Sequence, residues 1–216
     1  MNQKTGKADI HIHIIFSDRL MSPEALVKFV LFETNLNVIA VTDRDTIASA
    51  HITQAYVDDF KSTFQPLDII VGIKVTSADG DILALFIKDD IPSGLSATET
   101  VDLIHQQCGL AIAAHPFSPS PLLLRIDGMK GAQRLTKSVP YDGVEVRNGM
   151  PTELFSNWIT TYQSQREENR TETNISDGHI YSPFLITRLI CDWFSRQIPV
   201  YKLPTNIAPA PLCQNL

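Results

Sequence analysis

The chain of 216 residues holds only three cysteines, Cys108, Cys191 and Cys213. An odd number, widely spaced and without a C-x-x-C pair, argues against a disulfide framework and against a zinc finger. Reduced thiols in a cytoplasmic setting are the expectation. Excess positive charge is missing too: 18 Lys and Arg stand against 24 Asp and Glu, a formal net charge of -6. An acidic chain offers no generic attraction to a phosphate backbone, which disfavours nucleic acid as a partner; a local basic cluster can still hold a small anion. No apolar run approaches the roughly 18 residues that a membrane-spanning helix needs, so no membrane partner is expected. The opening stretch MNQKTGKADI is polar, without the apolar region of a secretion signal. Asn169-Arg-Thr and Asn174-Ile-Ser therefore read as chance matches to the glycosylation pattern. Internal repeats and low-complexity segments are absent. What remains is a chain with 44% hydrophobic residues, enough to build a core for a single domain over 1–216.

Short β-rich runs alternate with helical stretches. DIHIHIIF (9–16) reads as a strand. Ser22-Pro23-Glu24 is a helix start, with Ser as N-cap and Pro at the first helical position, for a helix running to about Thr34. NVIAVT (37–42) is an apolar strand and DTIASAHITQAYVDDF (45–60) a helix, with Asp45 suited to its start. DIIVGIKVTS (68–77) and DILALFI (81–87) are strands joined by a turn at Asp79-Gly80. Ser96 and Glu99 make a capping box for a helix that ends near Gly109. LAIAAHP (110–116), DGVEV (142–146) and part of TNISDGH (173–179) complete the strands.

This alternation implies βα units and a largely parallel sheet, and the nearly unbroken apolar runs suit strands covered on both faces. About seven strands fit a barrel better than a long open sheet. Polar residues gather at strand ends: His11, His13, Asp43, Asp45, Lys74, His115, Arg147, Asp177 and His179. In α/β barrels the C-terminal strand ends build the active site. Residues 181–216 differ, with an apolar helix-like run, IYSPFLITRLICDWF (180–194), and a tail carrying Pro199, Pro204, Pro209 and Pro211 that cannot form one continuous helix.

Side chains on a strand alternate, which puts Asp9, His11 and His13 on one face and Ile10, Ile12 and Ile14 on the other. Two imidazoles two residues apart can bind one metal ion from the same side. An H-x-H pair alone is weak grounds for a ligand set, and two ordinary polar-facing histidines account for it as well. Of the six histidines, however, His115 and His179 also fall at strand ends, the latter in Ser176-Asp177-Gly178-His179. Together these groups point to a metal site or to the remnant of one.

The stretches DIHIHIIFSD, VIAVTDRDT, VGIKVTSADGDILALFI, GLAIAAHPF, GVEVRN and SDGH, in this order and spacing, resemble the motifs of the PHP (polymerase and histidinol phosphatase) family over residues 8–180. The chain is more similar to the small phosphoesterases of that family than to its polymerase or histidinol phosphatase branches. The resemblance implies an α/β fold, a distorted (β/α)7 barrel. It also implies hydrolysis of phosphoesters, of nucleotides or other small phosphorylated substrates, by a cluster of divalent metal ions (Zn, Mn or Mg). Carried over position by position, it places a first metal on His11, His13, Asp177 and position 74, where Lys74 stands instead of a bridging glutamate. A second would need position 74 again, His115, and Asp81 in place of a histidine. A third would use Asp18, His179 and position 44, where Arg44 replaces a histidine.

Arginine stays protonated in proteins and cannot donate a lone pair; lysine ligates only when deprotonated. The implied centre is therefore degenerate. It would hold at most one tightly bound metal, at His11, His13 and Asp177, or none, with Asp18, Asp81, His115 and His179 as further candidates. Arg44 and Lys74, with Arg147, would hold a phosphate or carboxylate instead. Arg147 reads equally well as a solvated strand-end cation. His51 and His105 read as ordinary helix residues, and Asp43 as a loop residue. The leading expectation is a PHP-like phosphoesterase of weak or no activity. An active hydrolase with a single metal is the runner-up, and a non-catalytic module that senses a phosphorylated small molecule is the third reading.

Overall fold

The structure is a computed structural model and describes residues 8–14, 21–60, 67–118, 131, 138–145, 148–149, 154 and 156–162. Its elements follow one another as β1 Ala8–Ile12, α1 Pro23–Glu33, β2 Val38–Val41, α2 Ala48–Phe60, β3 Asp68–Thr76, β4 Asp81–Leu85, α3 Ala97–Gln106, β5 Leu110–Ala113 and β6 Gly143–Val144. Residues 156–162 are helical.

The strands form one sheet in chain order, β1-β2-β3-β4-β5-β6. β1, β2 and the first half of β3 run parallel, with Val38 opposite Asp68 and Val41 opposite Val71. The second half of β3 pairs antiparallel with β4, Gly72 facing Leu85 and Thr76 facing Asp81. β4 and β5 are antiparallel, β5 and β6 parallel. The fold is thus mixed α/β, with a sheet curled as in a half-barrel, not the largely parallel sheet expected. The strand expected within 173–179 lies outside the described residues.

The reversal has a local cause. Only residues 77–80 link β3 to β4, whereas a parallel crossover needs a dozen or more. Ser77 organises this link: its Oγ accepts from Asp79 N at 3.2 Å and Gly80 N at 3.1 Å. Gly80 takes φ 149°, a conformation that costs glycine little and other residues much.

Helices α1 and α3 begin where their caps place them. Ser22 Oγ accepts from Ala25 N at 3.2 Å, and Ser96 and Glu99 exchange the paired hydrogen bonds of a capping box. α2 starts at Ala48 and not at 45. Asp45 does not cap it: the residue sits at φ 54° and its Oδ1 accepts from Thr76 N at 2.7 Å. Ile47 N donates to Asp90 Oδ1 at 2.8 Å. Residues 45–47 are thereby tied to β3 and to the loop after β4.

Three apolar clusters hold the sheet. Ile12, Ile14, Leu26, Val27, Val30 and Ile39 pack β1 and β2 against α1 and α2. Ile73, Val75, Ile82, Val101, Ile104 and Ala111 pack the antiparallel half against α3. Ile10, Ala40, Ile70, Leu83, Leu85, Ile112 and Ala114 fill a third cluster drawn from five strands. Among the described residues no helix is long and apolar enough to cross a membrane. Cys108 lies just past α3; Cys191 and Cys213 lie outside the described residues.

His105 is not an ordinary helix residue. Its Nε2 lies 2.9 Å from Asp142 Oδ2, and the same oxygen accepts from Ala111 N at 2.7 Å, joining α3 to the β5–β6 junction. The hydrogen bond to Asp142 raises the His105 pKa above its ordinary value, against partial burial, with the charges of Asp142 and Asp102 adding to the rise. A raised folded-state pKa means stability that is fully present below the unfolded value and lost as pH rises through the folded one. Urea unfolding of wild type and His105→Asn from about pH 5 to pH 9 checks this. The wild-type advantage should be largest at the acid end and shrink toward the alkaline end. A difference independent of pH would show that no protonated pair forms.

Candidate functional site

The polar side chains singled out in the sequence meet at one end of the sheet. β1 delivers His11 and His13, which are buried. The β1–β2 register shifts between Asp9 and Ile12, and the strict alternation breaks there: Ile10 packs in one cluster, Ile12 and Ile14 in another. His11 and His13 nevertheless stay together, with Nε2 atoms 3.1 Å apart and ring centroids 5.0 Å apart. Asp9 Oδ1 accepts from His11 N at 3.1 Å, which ties up the first acidic residue of the motif in the backbone.

The segment after β2 runs alongside β3. Lys74 N donates to Asp43 O at 2.9 Å and Asp45 N to Lys74 O at 3.1 Å, so Arg44 and Lys74 form a parallel bridge. Asp43 is more than a loop residue. It is fully buried, its Oδ1 accepts from Ile14 N at 2.7 Å, and the same oxygen is 3.8 Å from His13 Nδ1. This carboxylate fixes the chain where it leaves β1.

Lys74 is only 3% exposed. Its ammonium lies 3.7 Å from Asp81 Oδ2, and the same oxygen is 3.9 Å from Arg44 Nη1 and 3.6 Å from His115 Nε2. These are ion-pair distances, longer than hydrogen bonds. Arg44 also donates to Thr76 Oγ1 at 3.3 Å. Asp81 reaches the cluster because β4 runs backwards: the first residue of an antiparallel strand lies at the same end as the last residues of its parallel neighbours. His115, beyond β5, stacks on His11 with centroids 6.1 Å apart.

Glu145, directly after β6, is the residue that sequence reasoning missed. It is 1% exposed, and its Oε1 lies 2.9 Å from His11 Nδ1. Its Oε2 accepts from His115 N at 2.7 Å. A lone carboxylate inside the apolar run GVEV was the available signal, since an acidic residue is almost never buried without partners.

The structure thus brings together His11, His13, Lys74, Arg44, Asp81 and His115, and adds Asp43 and Glu145. Asp18, Arg147, Asp177 and His179 lie outside the described residues. Among the described residues no three His, Cys, Asp or Glu side chains make a complete metal-holding group. The His11–His13 pair does fit part of one. Nitrogens 3.1 Å apart can be spanned by a single ion with bonds of about 2.0–2.1 Å. Glu145 against His11 Nδ1 is the carboxylate partner that ligand histidines usually have. Lys74 and Arg44 contribute no lone pair and raise the local positive charge.

No protein-family model matches the chain. Several solved structures share its fold, among them these two. One is a two-domain protein of Bacteroides vulgatus containing a predicted PHP-like metal-dependent phosphoesterase, with TM-score 0.53 and 21% identity over 73% of this chain and 50% of that one. The other is an amidohydrolase of Chromobacterium violaceum with bound sulfate and no metal, with TM-score 0.53 and 12% identity over 75% of this chain and 84% of that one. The fold is the one seen in these PHP-like phosphoesterase and amidohydrolase structures. In sequence the chain is 35% identical over 124 residues to the uncharacterized protein MJ1587 of Methanocaldococcus jannaschii, covering 52% of this chain and 69% of the relative. The chain belongs to the family of that archaeal protein.

Proposed function

We propose that this chain is a PHP-type phosphoesterase relative that binds a small phosphorylated molecule or an inorganic oxyanion at the strand ends and turns it over slowly or not at all. The observation that carries the reading is Lys74, an ammonium buried to 3% exposure inside a cluster of histidines and carboxylates. A fixed cation there, with Arg44 beside it, supplies positive charge that an anionic ligand needs and blocks the approach of further metal ions. One divalent ion held by His11 and His13, with Asp177 as the expected third ligand, would act as a Lewis acid and activate water. Lys74 and Arg44 would orient the phosphoryl group through charge-assisted hydrogen bonds, and Asp81 would hold both cations in place. The sulfate in the metal-free amidohydrolase supports oxyanion binding on this fold without a metal.

Calorimetry with phosphate, elemental analysis and turnover of generic phosphomonoesters with added Mn²⁺ or Zn²⁺ test the reading together. Phosphate should bind, at most one equivalent of metal should remain tightly bound, and turnover should be near background. Two or more tight metal equivalents would refute it. Robust turnover that disappears in His11→Ala would favour an active mononuclear hydrolase. Phosphate binding with no metal and no turnover would favour the regulatory module.

A further inference from the structure

The structure assigns Glu145 the role of a positioning residue: one oxygen fixes the tautomer and ring orientation of His11, and the other pins the backbone of His115. Its use to a bound ion rests on the proposed metal reading; the arrangement itself does not.

Three hydrogen-bond donors face the two oxygens of Glu145. His11 Nδ1 lies 2.9 Å from Oε1 and His115 N donates to Oε2 at 2.7 Å. Asn148 Nδ2 lies 3.1 Å from each oxygen. Asn148 is itself clamped by Asn157, through its N donating to Asn157 Oδ1 and its O accepting from Asn157 Nδ2, both at 2.7 Å. With these donors around its two oxygens Glu145 serves as the acceptor for His11, which places the N–H of His11 at Nδ1. A neutral imidazole protonated there has its lone pair on Nε2, the atom 3.1 Å from His13 Nε2. The lone pair therefore points at the second histidine of the pair, where a shared ion would sit.

The other oxygen acts on the backbone. His115 takes φ 27°, outside the regions that residues with a side chain prefer. Such strain persists only when its surroundings over-determine it. Glu145 supplies one constraint. Gly131 packs close against this turn, where a Cβ would come within 2.4 Å of Pro116 O and 2.8 Å of His115 O. One carboxylate at the end of β6 thus sets a histidine from β1 and a histidine from β5.

Nitrogen NMR of the imidazoles in the full-length, metal-free protein reads the tautomer directly. His11 should carry its proton on Nδ1 alone. In Glu145→Gln a single acceptor oxygen cannot serve both His11 and His115. The amide N–H then faces one of them, and the proton of His11 should move at least in part to Nε2. Zn²⁺ affinity should fall about 10- to 100-fold, the usual cost of losing such a partner, and the visible spectrum of the Co²⁺-loaded protein should change. A wild-type His11 protonated on Nε2 or on both nitrogens overturns the assignment. So does a variant with unchanged tautomer and unchanged Zn²⁺ affinity. The wild-type spectrum decides even if the variant does not fold. Wild type with the Nδ1 tautomer but no Zn²⁺ binding would support the positioning role and sink the metal reading alone.

Discussion

Arg44→His combined with Lys74→Glu should weaken phosphate binding about 100-fold or more. A hydrogen bond to a charged group contributes about 1.5–3 kcal/mol, and about 1.4 kcal/mol is tenfold in affinity, so two lost cationic donors multiply to that range. The new glutamate also repels the anion. The same change places a carboxylate near Asp81, whose Oδ2 now faces Lys74 Nζ at 3.7 Å. Carboxylates this close without a cation are mutually destabilising. The double variant should therefore unfold more readily in chelator than wild type and be rescued by Zn²⁺, with a melting temperature that climbs with zinc concentration. Calorimetry and thermal unfolding with and without zinc decide it. Unchanged phosphate affinity and a zinc-independent melting temperature would show that these two side chains do not face the ligand.

Ile73→Ala should cost about 2–5 kcal/mol of stability, the range for removing most of a buried aliphatic side chain. Ile73 is fully buried in the cluster that includes Val75, Ile82 and Ile104. β3 pairs with β2 through its first half and with β4 through its second, so a void there loosens the strand that joins the two halves of the sheet. Against a total of about 5–15 kcal/mol for a typical domain, this is a large share. Urea unfolding measures it; a loss below about 1 kcal/mol would mean that the neighbours close over the void.

Much of this arrangement was legible in the chain. The caps at Ser22 and Ser96 act locally, through hydrogen bonds to residues three positions away, and a local rule can read them. The H-x-H pair needed only the period of a strand. Arg44 and Lys74 were legible as cations at strand ends. Other features depend on distant partners. Asp45 resembles a helix start in its own neighbourhood, but Thr76 N claims its carboxylate. Asp43 and Glu145 look like loop and strand residues until residues from other elements bury them. The direction of β4 was readable in principle, since the link between DIIVGIKVTS and DILALFI is too short for a parallel crossover. The alternation of helices and strands elsewhere carried more weight and gave the wrong expectation of a largely parallel sheet.

His11 and Glu145 are 134 positions apart, and this separation has a consequence in time. Synthesis at about 5–20 residues per second leaves an interval on the order of ten seconds between the two residues entering the chain. Throughout that interval the first histidine pair exists without the carboxylate that orients it. Contacts of such long range come after the loop between them has closed, which makes them slow to form. The histidine cluster therefore matures after the strands that carry it. A metal ion meeting the growing chain would encounter two unoriented imidazoles, and the oriented pair becomes available only when β6 has docked.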